Sequence, residues 1–274
     1  MKTLHVLTAL MIVFLSLPAM ALEVFVDRDD DIQFFHLRGS ISPGDAEKLS
    51  VALVHYWKSS GLLLKAFRVD SRGGDVNEAI KIASLIRGVY GSVKVINGKY
   101  CASSCFLIWL NGAARMASGS DEISDGGMLV VHRPYYADEK YNSASPEVLG
   151  RRQVEAMKAM RAYLEDNLVH RALIDEMLSR PSNDGYVLAA SDIRSLGEIP
   201  PWFEEVSIAK CNYRRGRVRE IVEALSRGRD DEAQRLRFLD EKIIECQHEL
   251  RNQAGTIFVK KLANGWKPWA SRKD

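Results

Sequence analysis

The sequence lacks a charge bias, an internal repeat and a low-complexity tract, and it holds little cysteine. Thirty-eight Lys and Arg stand against 36 Asp and Glu, a net charge of +2. No global field therefore points to nucleic acid or to an acidic partner. Beyond the N-terminal stretch no segment is long and apolar enough to cross a bilayer, which takes ~20 residues. No histidine sits at ligand spacing beside the cysteines, which argues against a zinc site. The acidic stretch 27–31 lacks the glycine and terminal glutamate of a calcium loop and reads as a solvated turn. No Gly-x-Ser-x-Gly elbow occurs, which argues against an α/β-hydrolase. Neither metal nor cofactor is expected.

What remains is 274 residues of ordinary globular composition, 46% hydrophobic and 27% charged. That length suits one substantial domain with an appendage. The N-terminus reads as a secretory signal. Lys2 precedes an apolar run over 4–17, and Ala19-Met20-Ala21 offers a small-x-small cleavage pattern. Cleavage after Ala21 would release a periplasmic or secreted chain; an uncleaved N-terminal anchor is the alternative. Outside the cytosol an even number of cysteines can pair. The simplest scheme is local, Cys101 with Cys105 and Cys211 with Cys246, although four cysteines allow three connectivities.

Periodicity predicts strands at 23–26 and 32–37 around a hairpin turn, then a helix over 43–59. A strand at 66–69, a helix at 76–89, a strand at 93–96, a short apolar helix at 103–110 and a strand at 128–131 follow. The inner face of the second helix is expected at Val76, Ile80, Ala83 and Ile86 or Arg87. This alternation predicts a layered α/β fold. One long helix is expected over 146–178, with Val154, Met157, Met160, Leu164 and Leu168 on its apolar side, before a short segment at 186–197. From 205 the character changes. Lys210, Arg214, Arg215, Arg217 and Arg219 form a basic run. Leu236, Leu239, Ile243, Cys246 and Leu250 repeat at 3-4-3-4 spacing, a coiled-coil or helical-hairpin seam. The expected division is a signal at 1–21, a domain at 22–204 and a helical extension at 205–274.

Three places carry candidate chemistry. Asp70-Ser71-Arg72-Gly73-Gly74-Asp75 lies between a strand and a helix. Paired glycines there admit close backbone approach and free amides that can hold an oxyanion, but an ordinary tight turn has the same composition. Cys101-Ala102-Ser103-Ser104-Cys105 precedes an apolar helix. A serine there is commonly an N-cap, yet a nucleophile also suits the place because the next amide faces the reacting carbonyl. Ser103 would use the amide of Ser104, and Ser104 that of Cys105. Cys105 itself is a conceivable thiolate unless oxidised. The third place is Val131-His132-Arg133-Pro134. His132 ends an apolar strand, where a base can be held rigidly, though a structural histidine is the commoner use. Asp184, before an apolar stretch, is the candidate orienting acid; Asp175 and Asp192 look like helix-surface charges.

The order and spacing of these places resembles the proteolytic subunit of Clp proteases over residues 32–204. That family reads Ser-Pro-Gly-Gly, then Ala-Ser before an apolar helix ending in Gly, then apolar-apolar-His-x-Pro, then Asp before an aromatic. Here the matching residues are 71–74, Ala102-Ser103 with Gly112, 131–134, and Asp184-Gly185-Tyr186. Arg72 replaces the family proline, and Ser104-Cys105 replaces Met-Gly. The resemblance implies a Clp-protease/crotonase-like spiral of repeated β-β-α units and a triad of Ser103, His132 and Asp184. It also implies oxyanion donors at Gly74 and Ser104 and a homo-oligomer acting on a peptide or protein substrate. An exported chain has no ATP supply, so the activity expected is ATP-independent. The alternative is an inactive or redox-gated binding or scaffold protein on the same fold. The basic run with Trp266 and Trp269 could touch an anionic membrane surface, but a solvated helix face is the favoured reading.

Overall fold

Alternating apolar residues build the first layer of the protein. The computed structural model describes residues 21–29, 32–60, 64–119, 127–135 and 145–270; the expected signal and its apolar run lie outside them. Strands β1 (Glu23–Asp29) and β2 (Ile32–Arg38) form the expected antiparallel hairpin, with Asp29 opposite Ile32. Helix α1 (Asp45–Ser60) leads to β3 (Leu64–Asp70), α2 (Val76–Gly88) and β4 (Ser92–Val95). Phe35, Phe67, Val69, Val93 and Val95 point into the core from these strands and are fully buried. β2, β3, β4 and β6 (Arg115–Met116) run parallel, and β1 flanks them in the order β1-β2-β3-β4-β6.

A second, three-stranded sheet has the order β5-β7-β8, from β5 (Tyr100–Ala102), β7 (Met128–Val131) and β8 (Tyr186–Val187). Helix α3 (Cys105–Leu110) follows β5 and is wholly buried, Phe106 and Trp109 included. The chain is therefore a mixed α/β protein, as the alternation of periods predicts.

Three expectations need correction. The long helix over 146–178 is two helices, α4 (Pro146–Asp166) and α5 (Arg171–Ser179). Leu168 turns left-handed at φ 57°, and the Val169 amide returns to the Leu164 carbonyl at 3.0 Å, which ends α4. Met160 and Leu164 are buried as expected, but Val154 and Leu168 are exposed. The buried face of α2 is Ala79, Ile82, Ala83, Leu85 and Ile86; Val76 and Ile80 instead line a groove. The apolar helix expected from 103 starts at Cys105, and a short strand lies before it.

The C-terminal part is helical throughout: α6 (Ala190–Leu196), α7 (Pro201–Cys211), α8 (Arg217–Ser226) and the 34-residue α9 (Asp230–Ala263). The expected boundary at 205 falls within α7. Ile221 and Ala224 of α8 pack on Ala233 and Leu236 of α9, closing a helical hairpin. Farther along, α9 returns to the core, where Val259 and Leu262 are buried and the Trp57 indole donates to Thr256 Oγ1 at 3.2 Å. Both expected disulfides are present, Cys101–Cys105 and Cys211–Cys246. In the basic run Arg214 pairs with Glu220, Arg215 with Glu204 and Arg219 with Glu223.

Candidate active site

β3 hands the chain to a loop that only glycine can form. Ser71 and Gly73 turn on each other, the Gly73 amide donating to Ser71 Oγ at 3.1 Å. The Ile41 amide donates to the Gly73 carbonyl, and the Asp75 amide to the Ile41 carbonyl, both at 2.9 Å. Gly74 has φ 146°, and a Cβ there would stand 2.1 Å from the Ile41 carbonyl oxygen. Gly73 has φ 89°, and its Cβ would stand 2.6 Å from Ser103 Cβ. Asp75 then caps α2, accepting from the Glu78 amide at 2.7 Å. Glu78 is buried and accepts from the Gly44 and Ala46 amides at 3.0 and 2.8 Å. Burial alone would raise its pKa; the Lys81 and Ala46 hydrogen bonds, the Lys81 charge and the Gly44 bond outweigh it and lower it.

The second loop is stitched to the first. The Ser71 amide donates to the Tyr100 carbonyl at 3.0 Å and the Ala102 amide to the Ser71 carbonyl at 2.8 Å. Ser103 follows with φ 56°, a left-handed conformation for a residue bearing a Cβ. Such a conformation costs about 1–3 kcal/mol and persists only where its surroundings over-determine it. Here they do. The Ser103 amide donates to the Val130 carbonyl at 2.9 Å, and the Phe106 amide to the Ser103 carbonyl at 3.0 Å. Ser104 begins α3, but its hydroxyl makes no cap bond; it donates to the Gly74 carbonyl at 3.1 Å and is buried. Among the described residues neither the Gly74 nor the Ser104 amide donates a hydrogen bond. Cys105 is in a disulfide and fully buried, so no thiolate stands there.

β7 pairs in parallel with β5, Ala102 opposite Val130, which brings His132 to the end of the strand that anchors Ser103. His132 is 8% exposed, its ring centroid lies 5.5 Å from that of Tyr135, and Nδ1 lies 2.8 Å from the Arg133 carbonyl oxygen. β8 pairs antiparallel with β7, Val131 opposite Tyr186, so the turn carrying Asp184 runs beside His132. A Cβ at Gly185 would stand 4.0 Å from His132 Cδ2. The Asp184 carboxylate, however, accepts from Arg180 at 3.4 Å and its side chain is 69% exposed. Arg180 has its pKa raised, first by its hydrogen bond to Glu176. Asp192, expected as a surface charge, accepts from the Tyr186 hydroxyl at 2.7 Å and the Ala189 amide at 2.9 Å. That first bond, ahead of burial, raises the Tyr186 pKa. Asp175 pairs with Arg161 at 2.7 Å.

Ser103 and Gly74 open on a groove of about 720 Å³. Its walls include Val76 and Ile80 of α2, Pro134 and Tyr135 after β7, and Met160 and Tyr163 of α4. Arg72 and Glu155 also line it, one on the glycine loop and one on α4. The helical spacing predicts Met160 on an apolar helix face, but no local signal marks Tyr135, Tyr163 or the Arg133 carbonyl. Their role arises only where α4 and the end of β7 come together. Among the described residues no cluster of His, Cys, Asp and Glu could hold a metal ion.

No protein-family model and no curated relative match the chain. Among solved structures it is similar to a ClpP1 mutant from Listeria monocytogenes at 18% identity and a TM-score of 0.43, covering 61% of this chain and 88% of that one.

Proposed function

We propose that this chain is a serine-type peptidase that needs no ATP, with Ser103 as nucleophile, His132 as base and Asp184 as the orienting acid. The observation that carries the reading is the left-handed turn at Ser103. It sits on the rim of a groove, beside two undonated amides, with its own amide fastened to Val130 two positions before His132. Ser104 is the poorer nucleophile, because its buried hydroxyl already donates to Gly74. In the proposed reaction the Ser103 hydroxyl loses its proton to His132 Nε2 as the oxygen attacks a peptide carbonyl. The Gly74 and Ser104 amides hold the oxyanion, His132 returns the proton to the leaving amine, and water then releases the acyl group. The Arg133 carbonyl favours the tautomer with the proton on Nδ1, which leaves Nε2 basic. Asp184 joins the imidazole by leaving Arg180, an exposed and solvent-screened pair that holds it weakly.

The same reading takes the α/β units as turns of a Clp-protease/crotonase-like spiral that assembles as a homo-oligomer. It takes residues 205–274 as a helical extension, and the chain as periplasmic or secreted after cleavage near Ala21. The two disulfides suit an oxidising compartment, and among the described residues no helix is long and apolar enough to cross a membrane. A fluorophosphonate probe tests the chemistry. Labelling of the wild type that disappears in Ser103→Ala and weakens in His132→Ala is expected. No labelling of the wild type, or undiminished labelling of Ser103→Ala, overturns the peptidase. One observation favours a second reading, a binding or scaffold protein: the Asp184 carboxylate is turned toward Arg180. An unlabelled wild type that still captures peptides in the groove would select it.

A further inference from the structure

The Cys101–Cys105 disulfide spans the turn that carries Ser103. Cys101 is the middle residue of β5 and Cys105 the first of α3, their Cα atoms 5.2 Å apart. Both are fully buried, among neighbours such as Phe106 and Leu107 of the same core. The bridge closes a separation of four residues, against 35 for Cys211–Cys246. Disulfide stabilisation through the unfolded chain grows with loop length. The shorter bridge therefore restrains global unfolding least and local geometry most.

What it restrains is one conformation. Between the two cysteines lie Ala102, Ser103 and Ser104, and the middle one is left-handed at φ 56°. Three neighbours already hold the turn: the Val130 carbonyl on the Ser103 amide, the Phe106 amide on the Ser103 carbonyl, and Gly73, where a Cβ would stand 2.6 Å from Ser103 Cβ. Hydrogen bonds at the end of a three-residue strand and in the first turn of a six-residue helix are weak restraints, since both are element termini. A covalent link across the turn fixes the spacing of β5 and α3, and with it the backbone that Ser103 must hold. The same link sets the position of Ser104, the buried residue that follows Ser103 and whose amide donates no hydrogen bond among the described residues.

We propose that this disulfide is a positioning clamp that holds Ser103 in its left-handed turn, so that reaction at Ser103 depends on the bridge. The proposal rests on the reading of Ser103 as nucleophile. It is tested by comparing Cys101→Ala/Cys105→Ala with Cys211→Ala/Cys246→Ala in the full chain. The first pair is expected to slow fluorophosphonate labelling of Ser103 at least tenfold and to lower kcat on peptides while KM stays within about twofold. The second pair is expected to lower Tm more and to leave the labelling rate within about twofold. A folded first variant that labels at the wild-type rate overturns the clamp. Where the alanine pair does not fold, Cys101→Val/Cys105→Ala, which refills the buried volume, carries the same comparison. Amide hydrogen exchange at Ser103 separates the clamp from the peptidase reading. If the wild type does not label, faster exchange of that amide in the bridge-free variant still supports the clamp, and unchanged exchange refutes it.

Discussion

Gly73 and Gly74 hold the geometry of the candidate site at the scale of single residues. Each has a positive φ, and each faces a neighbour that would collide with a Cβ, Ser103 for the first and the Ile41 carbonyl for the second. Gly73→Ala should therefore destabilise the fold by about 2 kcal/mol, from backbone strain and overpacking together. It should also cut probe labelling of Ser103 more than tenfold, because the displaced neighbour is the proposed nucleophile. Urea unfolding and labelling kinetics on one preparation check both. Asp184 poses the opposite case. Its ion pair with Arg180 is exposed and screened by solvent, so Asp184→Asn should leave stability nearly unchanged. If Asp184 orients His132 during catalysis, the same change should lower kcat by about 10²–10⁴. An unchanged kcat would leave the Arg133 carbonyl as the orienting group.

At the scale of elements, β3 carries a buried cation that opposes its own strand. Lys65 lies 4.6 Å above the Trp57 ring and is 5% exposed. Burial, and then repulsion from Arg28, lowers its pKa to about 8. Between pH 8 and the ordinary lysine value near 10.5 the unfolded chain binds the extra proton and the folded chain does not, so this residue makes stability rise with pH. Below pH 8 both states are charged and the burial penalty is present in full. Lys65→Met should flatten that rise, the wild-type curve gaining about 1–3 kcal/mol on the variant across the window. Chemical denaturation at pH 7, 8.5 and 10 measures the difference. Curves that stay parallel would refute it.

At the scale of the whole molecule, α9 ties the C-terminal helices to the α/β core. Its last turns are buried against α1 through Trp57 and Thr256, while its middle is joined to α7 by Cys211–Cys246. Arg251, on the same helix, donates to Ser92 at 3.0 Å, and burial lowers its pKa to about 10. Opening a loop of 35 residues should cost about 4 kcal/mol by the chain-entropy model. Cys211→Ala/Cys246→Ala should thus lower Tm by several degrees, with helix signal lost earliest from α8 and the first turns of α9. Scanning calorimetry with hydrogen exchange on those helices follows it. Loss of exchange protection in β3 before α8 would show that the extension is not the weaker unit.

Much of this was legible in the sequence, because local period and local chemistry act over a few residues. The alternation of β2 and β3, the helical spacing of α1 and the glycine pair after β3 all follow from such short-range rules. So did both cysteine pairings, which were the simplest of three possible schemes. Other features depend on contacts between distant segments. β5 has three residues and no period of its own; it exists because Tyr100 and Ala102 bond to Ser71 and Met128 pairs beside it. The break after α4 arises where Leu168 turns left-handed, and no proline or glycine marks it. The groove wall of Tyr135 and Tyr163, the Arg133 carbonyl on His132 and the turn of Asp184 toward Arg180 are likewise decided by packing. Sequence by itself determined the longer elements and marked the candidate residues, since both follow from neighbours along the chain. Only the tertiary structure decided which of those residues meet, because hydrogen bonds and packed surfaces join positions far apart along the chain, as Trp57 and Thr256 do at a separation of 199.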